Sequence, residues 1–253
     1  MSETAGAARR FVILAVPRSG SNMLCTLLDS HPGILCHHEV FNPKGIRLAL
    51  ALRGTDFSLG TVEERARSPE VILERVWERH LGFPCVGFKL THRQHEAIYR
   101  RLLADASIDK VVLRRRNRLK TYVSNRVAEA LSQWEVYREA DLAPGRERVR
   151  VEVDPRHFLE SVAFDDAYYA EIRAAVEAGG HRSIELTYER LGSREEQNAV
   201  LRFLGVAPTA DGLRARSVKQ NSCDLRDLVA NYEELRRLFG GTEFEAELLS
   251  TAW

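Results

Sequence analysis

The sequence has little of what marks a secreted, membrane-embedded or multidomain protein. Its four cysteines lie far apart and form no Cys-x-x-Cys pair, so neither a zinc site nor a disulfide framework is indicated, and reduced cytoplasmic thiols are expected. No Pro-rich or Ser/Gly-rich linker and no repeat divides the 253 residues, which favours a single domain over residues 1–253. No apolar run approaches the roughly 20 residues of a membrane span, and residues 1–9, which we expect to be flexible, lack the apolar stretch of a secretion signal.

A large excess of positive charge is also missing. The formal net charge of +1 argues against a dedicated nucleic-acid binder, which usually needs a strong positive excess. Any basic site must therefore be local. The densest basic run, residues 114–116 (RRR), directly follows an apolar stretch and does not lie in a tail.

Short apolar runs alternate with amphipathic segments along the chain. This alternation predicts an α/β fold in which a P-loop-like parallel sheet is flanked by helices. The predicted strands cover residues 11–16 (FVILAV), 86–90, 110–113 and 184–186, and the predicted helices begin at Asn22 and cover residues 93–103, 119–134, 195–204 and 224–239.

Residues 133–180 separate the third and fourth predicted strands. We expect them to form a cap over the substrate side of the sheet, with an edge strand at residues 149–153 and a helix from about His157. Aromatic side chains are concentrated in this region and would suit a sugar or an apolar acceptor, although such residues at helical spacing are more often part of a core. They are Trp134, Tyr137, Phe158, Phe164, Tyr168 and Tyr169.

The turn between the first strand and the first helix has the composition of an anion site. Backbone N–H groups and the positive end of a helix converge where a buried strand turns directly into a helix. Gly20 permits close backbone approach and Arg18 adds a permanent charge with bidentate reach. Further donors come from Ser19, Ser21 and Asn22.

A nucleoside triphosphatase P-loop is the obvious rival interpretation of this turn. It requires a lysine directly after the second glycine, whereas Ser21 follows Gly20, and Ala15 stands where the first glycine should be. It also requires an acidic residue after a later strand to hold magnesium, and here residues 114–116 are arginines. This substitution favours a second phosphate-binding group over a metal site.

With these residues in place, the chain resembles the superfamily of sulfotransferases that use 3′-phosphoadenosine 5′-phosphosulfate (PAPS). Residues 17–21 (PRSGS) match its phosphosulfate loop in the arginine form of bacterial and carbohydrate-directed members, and Arg116 and Ser124 have the spacing of its 3′-phosphate clamp. Residues 186–191 resemble the segment whose tyrosine lies near the adenine, which implicates Tyr188. The Arg-Lys-Gly loop of the cytosolic eukaryotic branch is missing, and Lys219 is the candidate phosphate contact in its place.

The resemblance implies in-line transfer of a sulfuryl group from PAPS to a hydroxyl of a small-molecule or carbohydrate acceptor, with adenosine 3′,5′-bisphosphate as product and no metal. Arg18 would stabilise the leaving oxygen. Glu39 is the first candidate for the general base, as in many bacterial members, and His38 is the second, as in cytosolic eukaryotic ones. Lys89 ends a predicted strand at the edge where parallel sheets place ligand groups, so it would orient the sulfonate or the acceptor.

Two other functions remain open on the sequence. A small-molecule or nucleotide kinase would require ATP and magnesium. A non-catalytic nucleotide-binding module would keep the cationic clusters but lack a base and an acceptor pocket. The sequence does not indicate the oligomeric state.

Overall fold

The computed structural model describes residues 8–92 and 94–251 and contains the predicted parallel sheet. Every pair of neighbouring strands is parallel, and the spatial order is β2-β3-β1-β4-β5. The α/β fold class is therefore confirmed. The strands are β1 (Arg9–Ala15), β2 (Ile34–His37), β3 (Cys85–Thr91), β4 (Ile108–Arg114) and β5 (Ser183–Thr187).

One strand was not predicted. Strand β2 has only four residues, ILCH, and a run this short carries no periodicity that distinguishes a strand from a loop. It lies at the edge of the sheet and pairs with β3. Glu39 follows β2 by two residues, so this strand positions Glu39 at the cavity described below.

The helices connect the strands and cover both faces of the sheet. Their bounds agree with the predicted ones to within a few residues for the helices that follow β1, β3, β4 and β5; Arg93, the predicted first residue of one of them, lies outside the described residues. The helices are α1 (Ser21–Asp29), α2 (Val62–Arg67), α3 (Pro69–Glu78), α4 (Glu96–Ala104), α5 (Arg118–Leu131), α6 (Pro155–Gly179), α7 (Arg194–Phe203), α8 (Tyr232–Phe239) and α9 (Glu243–Leu249).

Strand β1 lies at the centre of the sheet, which explains its continuous apolar sequence. Val12 and Leu14 pack into the cluster on one face, while Phe11, Ile13 and Ala15 pack into the cluster on the other. Successive side chains of a strand point to opposite faces, so a strand buried on both sides needs apolar residues at every position. This burial fixes the end of β1, and therefore the turn that follows it.

The region predicted as a cap divides into two parts. Residues 133–136 line the main cavity, whereas α6 packs against the sheet and α4 and contributes Tyr168, Tyr169 and Ile172 to the core. The predicted edge strand at residues 149–153 is wrong, because only Val151 forms an isolated bridge, to Val229. Of the aromatic residues proposed for an acceptor pocket, Trp134 lines the main cavity.

Two predictions at the ends of the chain need correction. The predicted helix over residues 224–239 is interrupted, since a 3₁₀ turn at Leu225–Asp227 precedes α8. The expected flexibility of residues 1–9 falls on residues 1–7, which lie outside the described range, but Arg9 begins β1 and its Nε lies 2.6 Å from Asp109 Oδ2. Within the described chain, no helix combines the length and the apolar character needed to cross a membrane.

Candidate active site

A cavity of about 1010 Å³ opens at the carboxyl edge of the sheet. Loops that follow successive strands contribute its polar side chains, so the strand order fixes their sequence in space. From one edge of the sheet to the other these are Tyr188 after β5, Arg115 after β4, Arg18 after β1, Lys89 in β3 and Glu39 after β2.

The turn after β1 presents the start of α1 to this cavity. Arg18 and Gly20 both have positive φ, of 64° and 92°, which turns the chain sharply between strand and helix. Ser21 and Asn22 then line the cavity at the N-terminal end of α1, where a helix favours anions. Ser19 differs from its predicted role, because its side chain is fully buried and donates to the carbonyl of Val16, 2.8 Å away. Its hydroxyl stabilises the turn.

Arg18 crosses the cavity toward α5. Its Nε donates to Ser124 Oγ at 3.1 Å, one terminal nitrogen donates to Gln220 Oε1 at 3.1 Å, and the other donates to the carbonyl of Trp134. Burial, followed by repulsion from Arg146 and Arg115, lowers the pKa of Arg18 to about 10. Closely spaced cations held in a partly buried site favour an anionic ligand.

The arginine that lines the cavity after β4 is Arg115, whereas the sequence motif predicts Arg116 for the second anion site. Arg115 lines the cavity and its Nη1 donates to the carbonyl of Arg18 at 3.4 Å, whereas Arg116 is exposed and outside the cavity lining. The backbone N–H of Arg116 donates to Glu189 at 3.0 Å. Spacing along the sequence cannot decide which of three adjacent arginines points inward, because the strand ends at Arg114 and its alternation ends with it. Ser124, the other residue of the predicted clamp, lines the cavity.

Tyr188, for which the resemblance implies a contact with adenine, follows β5 and lies at that end of the cavity. Its ring lines the cavity, and the guanidinium carbon of Arg115 is 4.8 Å from the ring centroid. The ring also covers Gly20: a Cβ placed there would lie 2.1 Å from Tyr188 Cδ2. The glycine is thus required both for its backbone angle and for the close approach of the tyrosine.

A Gly20→Ala variant should lose more stability than the matched variant Gly82→Ala. Gly82 has a similar φ of 81° but nothing lies within 4 Å of the position of its Cβ, so it reports the backbone strain alone, about 1–3 kcal/mol. Urea unfolding of both variants measures the difference. Introducing Tyr188→Ala as well should remove the additional loss at Gly20; an equal loss in both single variants would contradict the predicted clash.

Glu39 and Lys89 form an ion pair on the β2 side of the cavity. Lys89 Nζ lies 2.8 Å from Glu39 Oε1 and also donates to Asn22 Oδ1, while Asn42 Nδ2 donates to Glu39 Oε2 at 2.5 Å. Burial by itself would raise the pKa of Glu39, but the ammonium of Lys89 and hydrogen bonds from Asn42 and Gln94 hold that pKa below its ordinary value. The carboxylate is therefore ionised at neutral pH and can accept a proton.

His38 lies away from the cavity. It is fully buried, its Nδ1 lies 3.2 Å from the hydroxyl of Tyr137, and its Nε2 has no hydrogen-bond partner. Burial, followed by Lys89 and Arg53, holds the pKa of His38 well below its usual value. The structure thus disagrees with His38 as a base that contacts substrate, because its ring does not reach the cavity.

The buried histidines predict acid sensitivity of the fold. Burial lowers the pKa of His37 to about 4 from 6.5, so between these two pH values the unfolded state binds more protons than the folded state. The free energy of unfolding should fall as the pH drops through this window, by about 3 kcal/mol from His37. Urea unfolding at pH 7 and pH 5 measures the slope, and His37→Asn should flatten it; an unchanged slope in that variant would contradict the assignment.

Residues 217–222, which follow α7, form a segment that lines the cavity and contacts Arg18 of the turn after β1. Arg146 holds this segment through Asn221 Oδ1 at 2.8 Å and the carbonyl of Gln220, and Asn221 donates to Ser124 Oγ at 2.9 Å. Lys219, the candidate phosphate contact, lines the cavity; its Nζ lies 3.2 Å from Cys223 Sγ and its side chain is exposed.

Sequence reasoning missed several cavity groups. Arg115 belonged to a basic run that had already been noticed, and Lys120, which is buried and lines the cavity, follows one helical turn later. Arg146, Gln220 and Asn221 carried no usable signal, because they meet only through tertiary contacts. Among residues 8–92 and 94–251, no group of three or more His, Cys, Asp or Glu side chains forms a possible metal site.

Comparison with known proteins yields similarities over nearly the whole chain. The chain is 28% identical over 240 residues to Nodulation protein H from Rhizobium tropici and 26% identical over 239 residues to Nodulation protein H from Rhizobium meliloti. These alignments cover 91% and 89% of this chain, and 89% of each relative. No family model matches.

Comparison with solved structures identifies a protein of similar fold. The sulfotransferase from Alicyclobacillus acidocaldarius superposes with a TM-score of 0.50 at 18% identity, covering 95% of this chain and 94% of that one. The chain therefore shares the fold of that sulfotransferase.

Proposed function

We propose that this protein is a PAPS-dependent sulfotransferase that transfers a sulfuryl group to a hydroxyl of a carbohydrate or other small acceptor. One observation supports the proposal: the strand order brings Tyr188, Arg115, Arg18, Lys89 and Glu39 into a row along one cavity, which would suit a nucleotide at one end and an acceptor at the other. The nucleotide would lie over β5, β4 and β1, and the acceptor over β3 and β2. The reacting sulfur would then lie near Arg18 and Lys89.

The residues of this row have distinct proposed roles. Arg115, Lys120 and Ser124 would bind the 3′-phosphate, the N-terminus of α1 and Arg18 would bind the 5′-phosphosulfate, and Tyr188 would pack against the adenine. Lys219 would approach a phosphate from the segment over the cavity. These groups would supply positive charge and hydrogen bonds to both phosphate-bearing ends of one doubly phosphorylated nucleotide.

The chemical step needs one base and one leaving-group cation. Glu39 accepts the proton of the acceptor hydroxyl as its oxygen attacks sulfur, while the bond from sulfur to the bridging oxygen of the 5′-phosphate breaks. Arg18 stabilises the negative charge that develops on that bridging oxygen. Lys89 orients Glu39 and the sulfonate. The products are the sulfated acceptor and adenosine 3′,5′-bisphosphate.

Nucleotide preference separates this function from that of a kinase. We propose that transfer proceeds without a metal ion, since arginines occupy the end of β4 where a kinase of this fold type would need a carboxylate. Adenosine 3′,5′-bisphosphate should raise the melting temperature by several degrees, and ATP with magnesium should have little effect. Stabilisation by ATP with magnesium alone would contradict the proposal.

The adjacent arginines provide a matched pair of variants. Arg115→Ala should weaken binding of adenosine 3′,5′-bisphosphate by about tenfold to a hundredfold, because a buried charge-assisted contact is lost. Arg116→Ala removes the same charge from an exposed position and should leave the dissociation constant within about twofold. Calorimetric titration measures both. If Arg116→Ala weakened binding more than Arg115→Ala, the contact to the 3′-phosphate would be assigned to Arg116.

A cytoplasmic location is part of the proposal. Cys25, Cys36 and Cys85 are buried and unpaired in disulfides, which is typical of a reducing compartment.

A further inference from the structure

The cavity extends past Glu39 along a loop, residues 39–47, that takes no part in the nucleotide site proposed above. Asn42, Lys44 and Arg47 of this loop line the cavity. The loop follows β2, the edge strand, which is separated from β1 and its phosphate loop by β3. With strands about 4.8 Å apart, the loop lies roughly 10 Å from the phosphate loop, on the side of the acceptor.

The loop is held in one conformation. The carbonyl of Glu39 accepts hydrogen bonds from the backbone N–H of Asn42 at 3.2 Å and of Arg47 at 3.1 Å. Beneath the loop, Arg65 is buried and its Nη1 donates to the carbonyls of Val40 at 2.8 Å and Gly45 at 3.1 Å. The positions of the loop's cations relative to Glu39 are therefore set before any ligand binds.

Asn42 links the base to the cationic part of the loop. Its Nδ2 donates to Glu39 Oε2 at 2.5 Å, and its Oδ1 accepts from the backbone N–H of Lys44 at 2.9 Å. A ligand hydroxyl at Glu39 would consequently have Lys44 close by on the same loop.

The two cations of the loop have no acidic partner. Lys44 and Arg47 are exposed at the cavity wall, and within the described part of the chain neither side chain forms an ion pair or a hydrogen bond. The acidic groups nearest in the cavity are already neutralised, since Glu39 pairs with Lys89, and Glu135 with Arg53 at 3.1 Å. This end of the cavity therefore has a net positive charge with donors available to a ligand.

We propose that the acceptor carries an anionic group, a carboxylate or a phosphate ester, which Lys44 and Arg47 bind while the acceptor hydroxyl lies at Glu39. This inference rests on the proposed function and narrows its substrate class. Lys44 and Arg47 act as specificity residues. They bind the anionic group through charge and hydrogen-bond geometry and take no part in the transfer step.

Matched sugar probes test this inference. N-acetylglucosamine, N-acetylglucosamine 6-phosphate, p-nitrophenyl glucoside and p-nitrophenyl glucuronide are titrated into the protein, alone and saturated with adenosine 3′,5′-bisphosphate. We expect each anionic probe to bind about tenfold tighter than its neutral counterpart in the nucleotide-saturated protein, with the advantage shrinking as salt is raised. Comparison of the two pairs distinguishes a phosphate from a carboxylate.

The variant Lys44→Ala/Arg47→Ala should abolish the advantage of the anionic probes and leave the affinity for adenosine 3′,5′-bisphosphate unchanged. Lys44→Arg should retain it. Arg202→Ala/Arg237→Ala removes two exposed charges outside the cavity lining and is the control for net charge. Equal or undetectable binding of anionic and neutral probes, or an advantage that survives the double variant, would overturn this inference. Failure of adenosine 3′,5′-bisphosphate to bind would instead overturn the proposed function.

Discussion

Replacing Glu39 by glutamine should lower kcat for sulfuryl transfer by about a hundredfold to ten-thousandfold, the usual contribution of a general base. Glutamine keeps one carbonyl oxygen that can accept from Lys89, loses the acceptor for Asn42 Nδ2, and cannot take up the proton. Binding of adenosine 3′,5′-bisphosphate should remain unchanged, because Glu39 follows β2, at the opposite edge of the sheet from Tyr188. Steady-state transfer assays and calorimetric titration measure the two effects separately.

Glu135→Gln is the matched control for this variant. Glu135 lines the same cavity but already accepts from Arg53 and from the hydroxyl of Tyr137, at 3.1 and 2.7 Å, so it has no proposed part in proton transfer. Its replacement should change kcat by less than about fivefold. Full turnover in Glu39→Gln, with the fold intact, would remove Glu39 from the mechanism.

The pH profile adds an independent test of the same carboxylate. Because the pKa of Glu39 is held below its ordinary value of 4.5, the carboxylate is ionised at neutral pH and activity should fall only as the pH drops below that value. The acidic side of the pH–activity profile has to be measured with short exposures to acid, because protonation of the buried histidines also lowers the stability of the fold as the pH falls. A loss of activity that begins well above pH 4.5 would contradict Glu39 as the base.

Replacing Arg18 by alanine should lower kcat by about a hundredfold to a thousandfold, because it removes the cation proposed to stabilise the leaving oxygen. The variant should also weaken nucleotide binding, since the contacts of Arg18 to Ser124 and Gln220 hold the two walls of the nucleotide site together. Transfer assays at saturating PAPS separate the two effects. Arg18→Lys should recover only part of the rate, because a lysine cannot reproduce the forked contacts of a guanidinium.

Arg116→Ala serves as the control for Arg18→Ala, since it removes an arginine of the same rim that lies outside the cavity lining. Arg18→Ala with near-normal turnover and unaltered nucleotide affinity would contradict its proposed role.

The central features of the fold were predictable because they depend on local patterns. Continuous apolar runs indicated buried parallel strands, and the sequence PRSGS after the first of them indicated an anion-binding turn. Lys89 was proposed from its position at a strand end and Glu39 from family resemblance, and both residues line the cavity.

Local patterns did not predict which side chains face the cavity. The sequence alone determined an α/β fold, an arginine-bearing turn between the first strand and the first helix, and a second basic cluster after a later strand. Only the tertiary structure decided that Arg115 points inward and Arg116 outward, that His38 is sealed in the interior, and that α6 packs against the sheet. The physical reason is that backbone periodicity is a property of neighbours in sequence, whereas the direction and burial of a side chain beyond a strand end depend on elements that meet only when the chain is folded.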